Sequence, residues 1–222
     1  MPEKTLSASS RIRQNPGRIR DALLAFAGIL LFAGFIHRTF PFKFLAIGGL
    51  LVTAAVVAFS TRKGSLREAF GIFSLNKRTI LISLTAVGLG ILLGIWTRRR
   101  FELTLVPAGL TGVAVVAPLI GAAEELLFRG YLQGHLRPAG RALAIVTASA
   151  MHASYKLLVI LSLAVPMQFD FFFLIFWTFI GGILFGILRE ASGHILPPLL
   201  AHAVFDIILY GALPVPPVWV WS

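Results

Sequence analysis

A chain of 222 residues that is 57% hydrophobic and only 13% charged is not a soluble globular domain, where about a quarter of residues carry charge. Its formal charge of +11 comes from short basic clusters between apolar runs, a pattern of membrane-surface loops, so no nucleic-acid partner is expected. The absence of cysteine excludes disulfides, thiolate metal ligands and a cysteine nucleophile.

Residues 1–20 hold Lys4, Arg11, Arg13, Arg18 and Arg20, broken by Pro16-Gly17, and read as a basic cytoplasmic tail, not a cleaved signal peptide. Apolar runs near 21–37 and 43–60 are long enough to cross a bilayer. Between 61 and 78, Arg62, Lys63, Arg67, Lys77 and Arg78 alternate with Leu66, Phe70 and Phe73, the spacing of an interfacial amphipathic helix. A third span near 79–96 ends at Arg98-Arg99-Arg100. The fourth, near 104–132, contains Pro107 and Pro118, either of which can bend it. Spans near 141–164, 170–188 and 195–213 follow, and Trp219 and Trp221 make residues 214–222 an aromatic interface anchor. The expected fold is all-α: a polytopic transmembrane helix bundle of about seven spans, six to eight, with N-terminal spans in 21–103 and core spans in 104–213. Gly90/Gly94 and Gly182/Gly186 are read as close helix packing.

Basic residues concentrate in the tail, in 62–78 and at Arg137, Arg141 and Arg189, which places the N-terminus in the cytoplasm. The Arg98–Arg100 run is the objection, since it falls on the outer side.

The acidic stretch Gly121-Ala-Ala-Glu124-Glu125-Leu-Leu-Phe-Arg129-Gly130 follows an apolar run. Carboxylates at membrane depth are expensive and mark function. On a helix Glu125 and Arg129 share a face one turn apart, in the favourable acid-before-base order, and Glu124 points about 100° away without that partner. The spacing therefore has Glu125 held by Arg129 and Glu124 available. Two more spans bring polar groups to similar depth: His152, and the pair His202 and Asp206 one turn apart. Lys156, one turn after His152, either pairs with a carboxylate or snorkels. His194 is read as an interface residue and His135 as solvent-facing.

A partly desolvated carboxylate can act as a general base on water, and two histidines can either bind zinc or donate to an oxyanion. All of these describe amide or ester hydrolysis within the membrane. No histidine is followed by Glu, intramembrane Asp pairs are lacking, and no Gly-x-Ser motif is present, so the His-Glu-x-x-His, two-aspartate and serine designs do not fit.

Glu124-Glu125-x-x-x-Arg129, an intramembrane His152 and His202-x-x-x-Asp206, over about 108–212, resemble the CAAX-protease and bacteriocin-processing (Abi) family of membrane endopeptidases. That resemblance implies catalytic roles for Glu124, Glu125, Arg129, His152, His202 and Asp206, with Glu124 activating water. Ala148 stands where the family has Phe, and Asp206 where it usually has Asn; the added charge suits metal ligation. The resemblance implies a zinc site of Glu124, His152, His202 and Asp206. Length and the basic N-terminal half are similar to a bacterial subgroup found beside exosortase sorting systems.

The expected function is an intramembrane endopeptidase, multi-pass in a bacterial inner (plasma) membrane, cutting a membrane-associated or lipidated peptide near the cytoplasmic surface. Its cavity is expected to open there, lined by Arg137, Arg141 or Arg189. The competing reading is a non-hydrolytic sorting or immunity partner, or a small proton-coupled transporter. The latter should show inverted repeats, which the sequence lacks.

Overall fold

The computed structural model describes residues 16–62, 70–72, 75–163 and 170–213. Seven helical segments account for nearly all of them, and these residues contain no strand. In chain order they are α1 (Pro16–Phe35), α2 (Lys43–Arg62), α3 (Lys77–Arg100), α4 (Gly112–Glu125), α5 (Arg141–Leu161), α6 (Phe171–Ser192) and α7 (Leu196–Tyr210). Helix α4 does not stop at Glu125: it widens into a π-helical stretch, Leu126–Leu132, and finishes with the turn Gln133–Leu136. The aromatic tail and residues 63–69 and 73–74 of the interfacial segment lie outside the described residues.

The helices start and stop where local chemistry says they should. The Asn76 side chain accepts from Thr79 N at 2.8 Å to open α3, and Asp170 accepts from Phe173 N at 2.8 Å to open α6. Gly193, at φ +69°, ends α6 in the left-handed region that glycine enters without strain. Pro197 and Pro198 occupy the first turn of α7, where no intrahelical N–H is lost.

Burial is inverted relative to a soluble protein. Leu81, Leu84, Leu92, Leu119 and Phe172 are exposed, whereas Glu124, Glu125, Arg129, Arg189 and Asp206 are buried. Helices α2, α3, α5 and α6 are long and apolar enough to cross a membrane, and α7 is a shorter apolar helix. An apolar outside around a polar inside is the arrangement that lipid favours. The protein is an integral membrane helix bundle.

Small residues set the closest contacts. A Cβ on Gly28 would lie 2.5 Å from Thr53 Oγ1 and 2.8 Å from Gly49 O, so α1 and α2 meet backbone to backbone. A Cβ on Gly94 would lie 2.7 Å from the Ile208 side chain, and Gly90 faces the Ala201 carbonyl. The expected Gly90/Gly94 contact is thus the seam between α3 and α7.

The fourth span begins later than the expected residue 104. Residues 104–111 are non-helical and tuck under the ends of α3 and α7. Arg98 is the reason. It is 2% exposed and donates to the carbonyls of Ile208, Leu209 and Gly211, at 3.0, 2.9 and 2.9 Å, and to Thr104 O. A guanidinium thus satisfies the last carbonyls of α7, which have no helical partner. Pro107 then packs on Gly211, outside any helix.

Contacts also define two ends of the bundle. Arg100 to Asp170 (3.4 Å) and Thr111 to Leu213 O (2.7 Å) join the ends of α3, α4, α6 and α7 at what we call end A. Arg18 to Gly134 O (3.4 Å), Arg137 to Glu190 (2.9 Å) and Ile195 N to Gly71 O (3.1 Å) mark the opposite end B.

Candidate active site

The acidic motif sits where α4 changes from α to π geometry, and π segments inside helices recur at functional sites. Glu125 is fully buried and lies 3.4 Å from Arg129 Nη1, the pairing that the spacing predicts. Its Oε1 also accepts from His202 Nδ1 at 2.9 Å, which ties α4 to α7. Gly121, one turn earlier, makes that approach possible. A Cβ there would stand 2.6 Å from Asp206 Oδ2 and 3.0 Å from His202 Cδ2.

Glu124 is not left free. Its Oε2 lies 3.2 Å from His152 Nε2 and its Oε1 2.6 Å from Lys156 Nζ. Sequence reasoning left Lys156 undecided; the signal was its i+4 position after His152, which puts both on one face of α5. His152 is fixed from both sides. Arg129 Nη1 lies 2.7 Å from its Nδ1, and an arginine can only donate, so Nδ1 accepts and the ring proton sits on Nε2, facing Glu124. Phe128 stacks on the same ring at 4.5 Å between centroids. Gly182 leaves the room Arg129 needs, since a Cβ there would lie 2.7 Å from its Nη2.

His202 Nε2 faces Asp206 Oδ2 at 3.8 Å, an ion-pair contact too long for a direct hydrogen bond. The six sequence-predicted residues Glu124, Glu125, Arg129, His152, His202 and Asp206 therefore lie in one connected cluster.

His135 and His194 stay out of it. His135 is 5% exposed, not solvent-facing: its Nδ1 lies 2.9 Å from Tyr131 O and its ring lies tilted against Tyr131, 4.0 Å between centroids. Desolvation by burial holds its pKa below the ordinary histidine value. His194 is buried, and its Nδ1 accepts from Leu196 N at 3.0 Å at the start of α7.

A cavity of about 140 Å³ reaches Glu124, His152, His202 and Asp206. Its walls continue past Trp96, Phe101, Phe173, Trp177 and Tyr210, all toward end A. None of Arg137, Arg141 and Arg189 lines it, which corrects the expectation of a mouth beside them. Those residues sit at end B, where Arg137 and Arg141 pair with Glu190 at 2.9 and 3.9 Å and Arg189 is buried over Gly71. A second, almost wholly apolar cavity of about 260 Å³ reaches Glu124 from the other side, between Ile29, Leu50, Val57 and Phe70.

The donor set can be tested against zinc. Both His152 nitrogens are engaged, one accepting from Arg129 and one donating to Glu124, so neither offers a lone pair to an ion. The Lys156 ammonium occupies the carboxylate oxygen that a dication would need. Among the described residues, no group of three or more His, Asp or Glu side chains is disposed to hold a metal. A zinc ion shared by Glu124, His152, His202 and Asp206 does not fit this arrangement.

Fold and site together define a membrane-embedded helix bundle with a buried carboxylate–histidine cluster on a cavity. Residues 104–208 match the model of the Rce1-like family, the type II CAAX prenyl endopeptidases. This is the family group that the three motifs resemble, and the matched segment contains all six site residues. No curated protein and no solved structure matches the chain.

Proposed function

We propose that the protein is an intramembrane endopeptidase in which Glu124 activates the water that attacks a peptide carbonyl. The observation that carries this reading is the convergence of α4, α5 and α7 on one cavity, with Glu124 3.2 Å from His152 and Glu125 2.9 Å from His202. Water admitted to the cavity beside Glu124 gives up a proton to that carboxylate as its oxygen adds to the carbonyl. Arg129, whose Nε and Nη2 have no hydrogen-bond partner among the described residues, lines the same cavity and supplies donors for the oxyanion. The C–N bond then breaks as Glu124 returns the proton to the departing amine. His152, held by Arg129, orients Glu124 throughout.

The substrate class proposed is a membrane-associated peptide, and the apolar cavity on the far side of Glu124 supports one that carries a lipid chain. No step is assigned to zinc; the engagement of both His152 nitrogens and of Glu124 Oε1 supports this reading. Metal analysis of the purified protein beside His202→Ala checks this, and equimolar zinc in the wild type alone would overturn it.

The function itself is tested by comparing membrane peptides in cells carrying wild type and Glu124→Gln. Peptides shortened only by the wild type are expected, with cleavage by the variant lower by about 10²–10⁴-fold. Equal processing by both would refute the role of Glu124.

The charge distribution supports a cytoplasmic N-terminus in a bacterial plasma membrane, which makes end B cytoplasmic. Burial of Arg98 against α7 removes part of the objection from the arginine run. With end A then outside, the cavity meets substrate from the outer face, not from the cytoplasmic surface that the sequence suggests. A link to a protein-sorting system remains part of this proposal.

A further inference from the structure

Two cations line the 140 Å³ cavity, Arg129 and Lys156. Arg129 is 1% exposed; its Nη1 is engaged by Glu125 and His152, and its other donors are those assigned above to the oxyanion. The Lys156 side chain is 14% exposed, and of its three donors one is given to Glu124 Oε1. Helix α5 runs from end B toward end A, so Lys156 lies four residues, about 6 Å, nearer the mouth than His152. A ligand entering past Trp96, Phe173 and Trp177 passes apolar walls and then reaches this ammonium. Around it Glu124, Glu125 and Asp206 are acidic, so another anion enters only if Lys156 offsets their charge.

We propose that Lys156 is the specificity-determining residue of the site: it takes a carboxylate of the bound peptide, and its departure from Glu124 leaves Oε1 open to the water that Glu124 activates. The inference rests on the peptidase reading in making the ligand a peptide. Carboxylate recognition itself needs only the cavity and the ammonium. The carboxylate is either the chain terminus or an Asp or Glu side chain.

The experiment uses the full chain in lipid nanodiscs, with Trp219→Phe and Trp221→Phe leaving Trp96 and Trp177 as fluorescence donors. Three dansyl peptides are titrated: Val-Ile-Leu with a free C-terminus, the same peptide as its amide, and Val-Ile-Glu amide. Binding of at least one acid is expected to be about tenfold or more tighter than binding of the neutral amide, as for a hydrogen bond to a charged group. Whichever acid is preferred identifies the source of the carboxylate. Lys156→Met should abolish the preference and Lys156→Arg should keep it.

Equal binding of all three by the wild type, or an undiminished preference in Lys156→Met, would overturn the proposal and leave Lys156 a counter-ion of Glu124. If Lys156→Met does not fold, the wild-type and Lys156→Arg titrations decide alone. An acid preference without any peptide hydrolysis would refute the peptidase reading and leave this one standing.

Discussion

At the scale of single residues, the site is built from charges that restrain one another. Arg129 touches both Glu125 and His152, so its removal strands a buried carboxylate and frees the imidazole that orients Glu124. Arg129→Ala is expected to cost about 3–5 kcal/mol, because it breaks a buried pair on one side. Its melting temperature in detergent should fall well below that of Glu124→Gln, and similar melting temperatures for the two would contradict this assignment. The Glu125–Arg129 pair was legible in the sequence because helical periodicity alone sets it. The partners of Glu124 were not, since they come from α5, and no local rule states which face of α5 meets α4. Lys156 had the right period, but only tertiary packing decides between a pair and a snorkel. His135 was misjudged for a related reason: a histidine between polar neighbours reads as a loop residue, yet the π-helical continuation of α4 carries it into the interior.

Among elements, the contacts that matter are those where glycine lets one helix sit against another. Gly121→Ala would place a methyl 2.6 Å from Asp206 Oδ2 and should push α4 and α7 apart at the site. Overpacking of this kind costs about 1–3 kcal/mol. A modest loss of thermal stability with a large loss of cleavage is expected, because the displaced groups are His202 and Asp206. Retention of full activity would show that the α4–α7 approach is not needed. Six of the seven helices fall close to the apolar runs that predict them. The exception, the start of α4, fails because Leu103–Leu110 is apolar enough to read as membrane. Pro107 and the following glycines, the stronger physical signal, take the chain out of helix there. The π stretch had no sequence signature at all, since its widened turn depends on what packs around Phe128 and Arg129.

For the whole molecule, the question is which way the cavity faces. The natural sequence lacks cysteine, so single cysteines report side directly. Ala108→Cys, exposed at end A, should react with an impermeant maleimide in intact cells. Ala142→Cys, exposed near end B, should react only after the membrane is opened. The reverse pattern would put the mouth in the cytoplasm. Helix α7 adds a constraint of a different kind. Its 15 residues extend about 22 Å at 1.5 Å each, against a hydrocarbon core of about 30 Å. Arg98 allows so short a helix to end without water at its carbonyls. A helix of this length matches a thinner bilayer, or one whose headgroups dip beside α7. Hydrophobic mismatch thus bears on the candidate site: reconstituted in lipids of increasing acyl length, the protein should be most stable in the thinner bilayers.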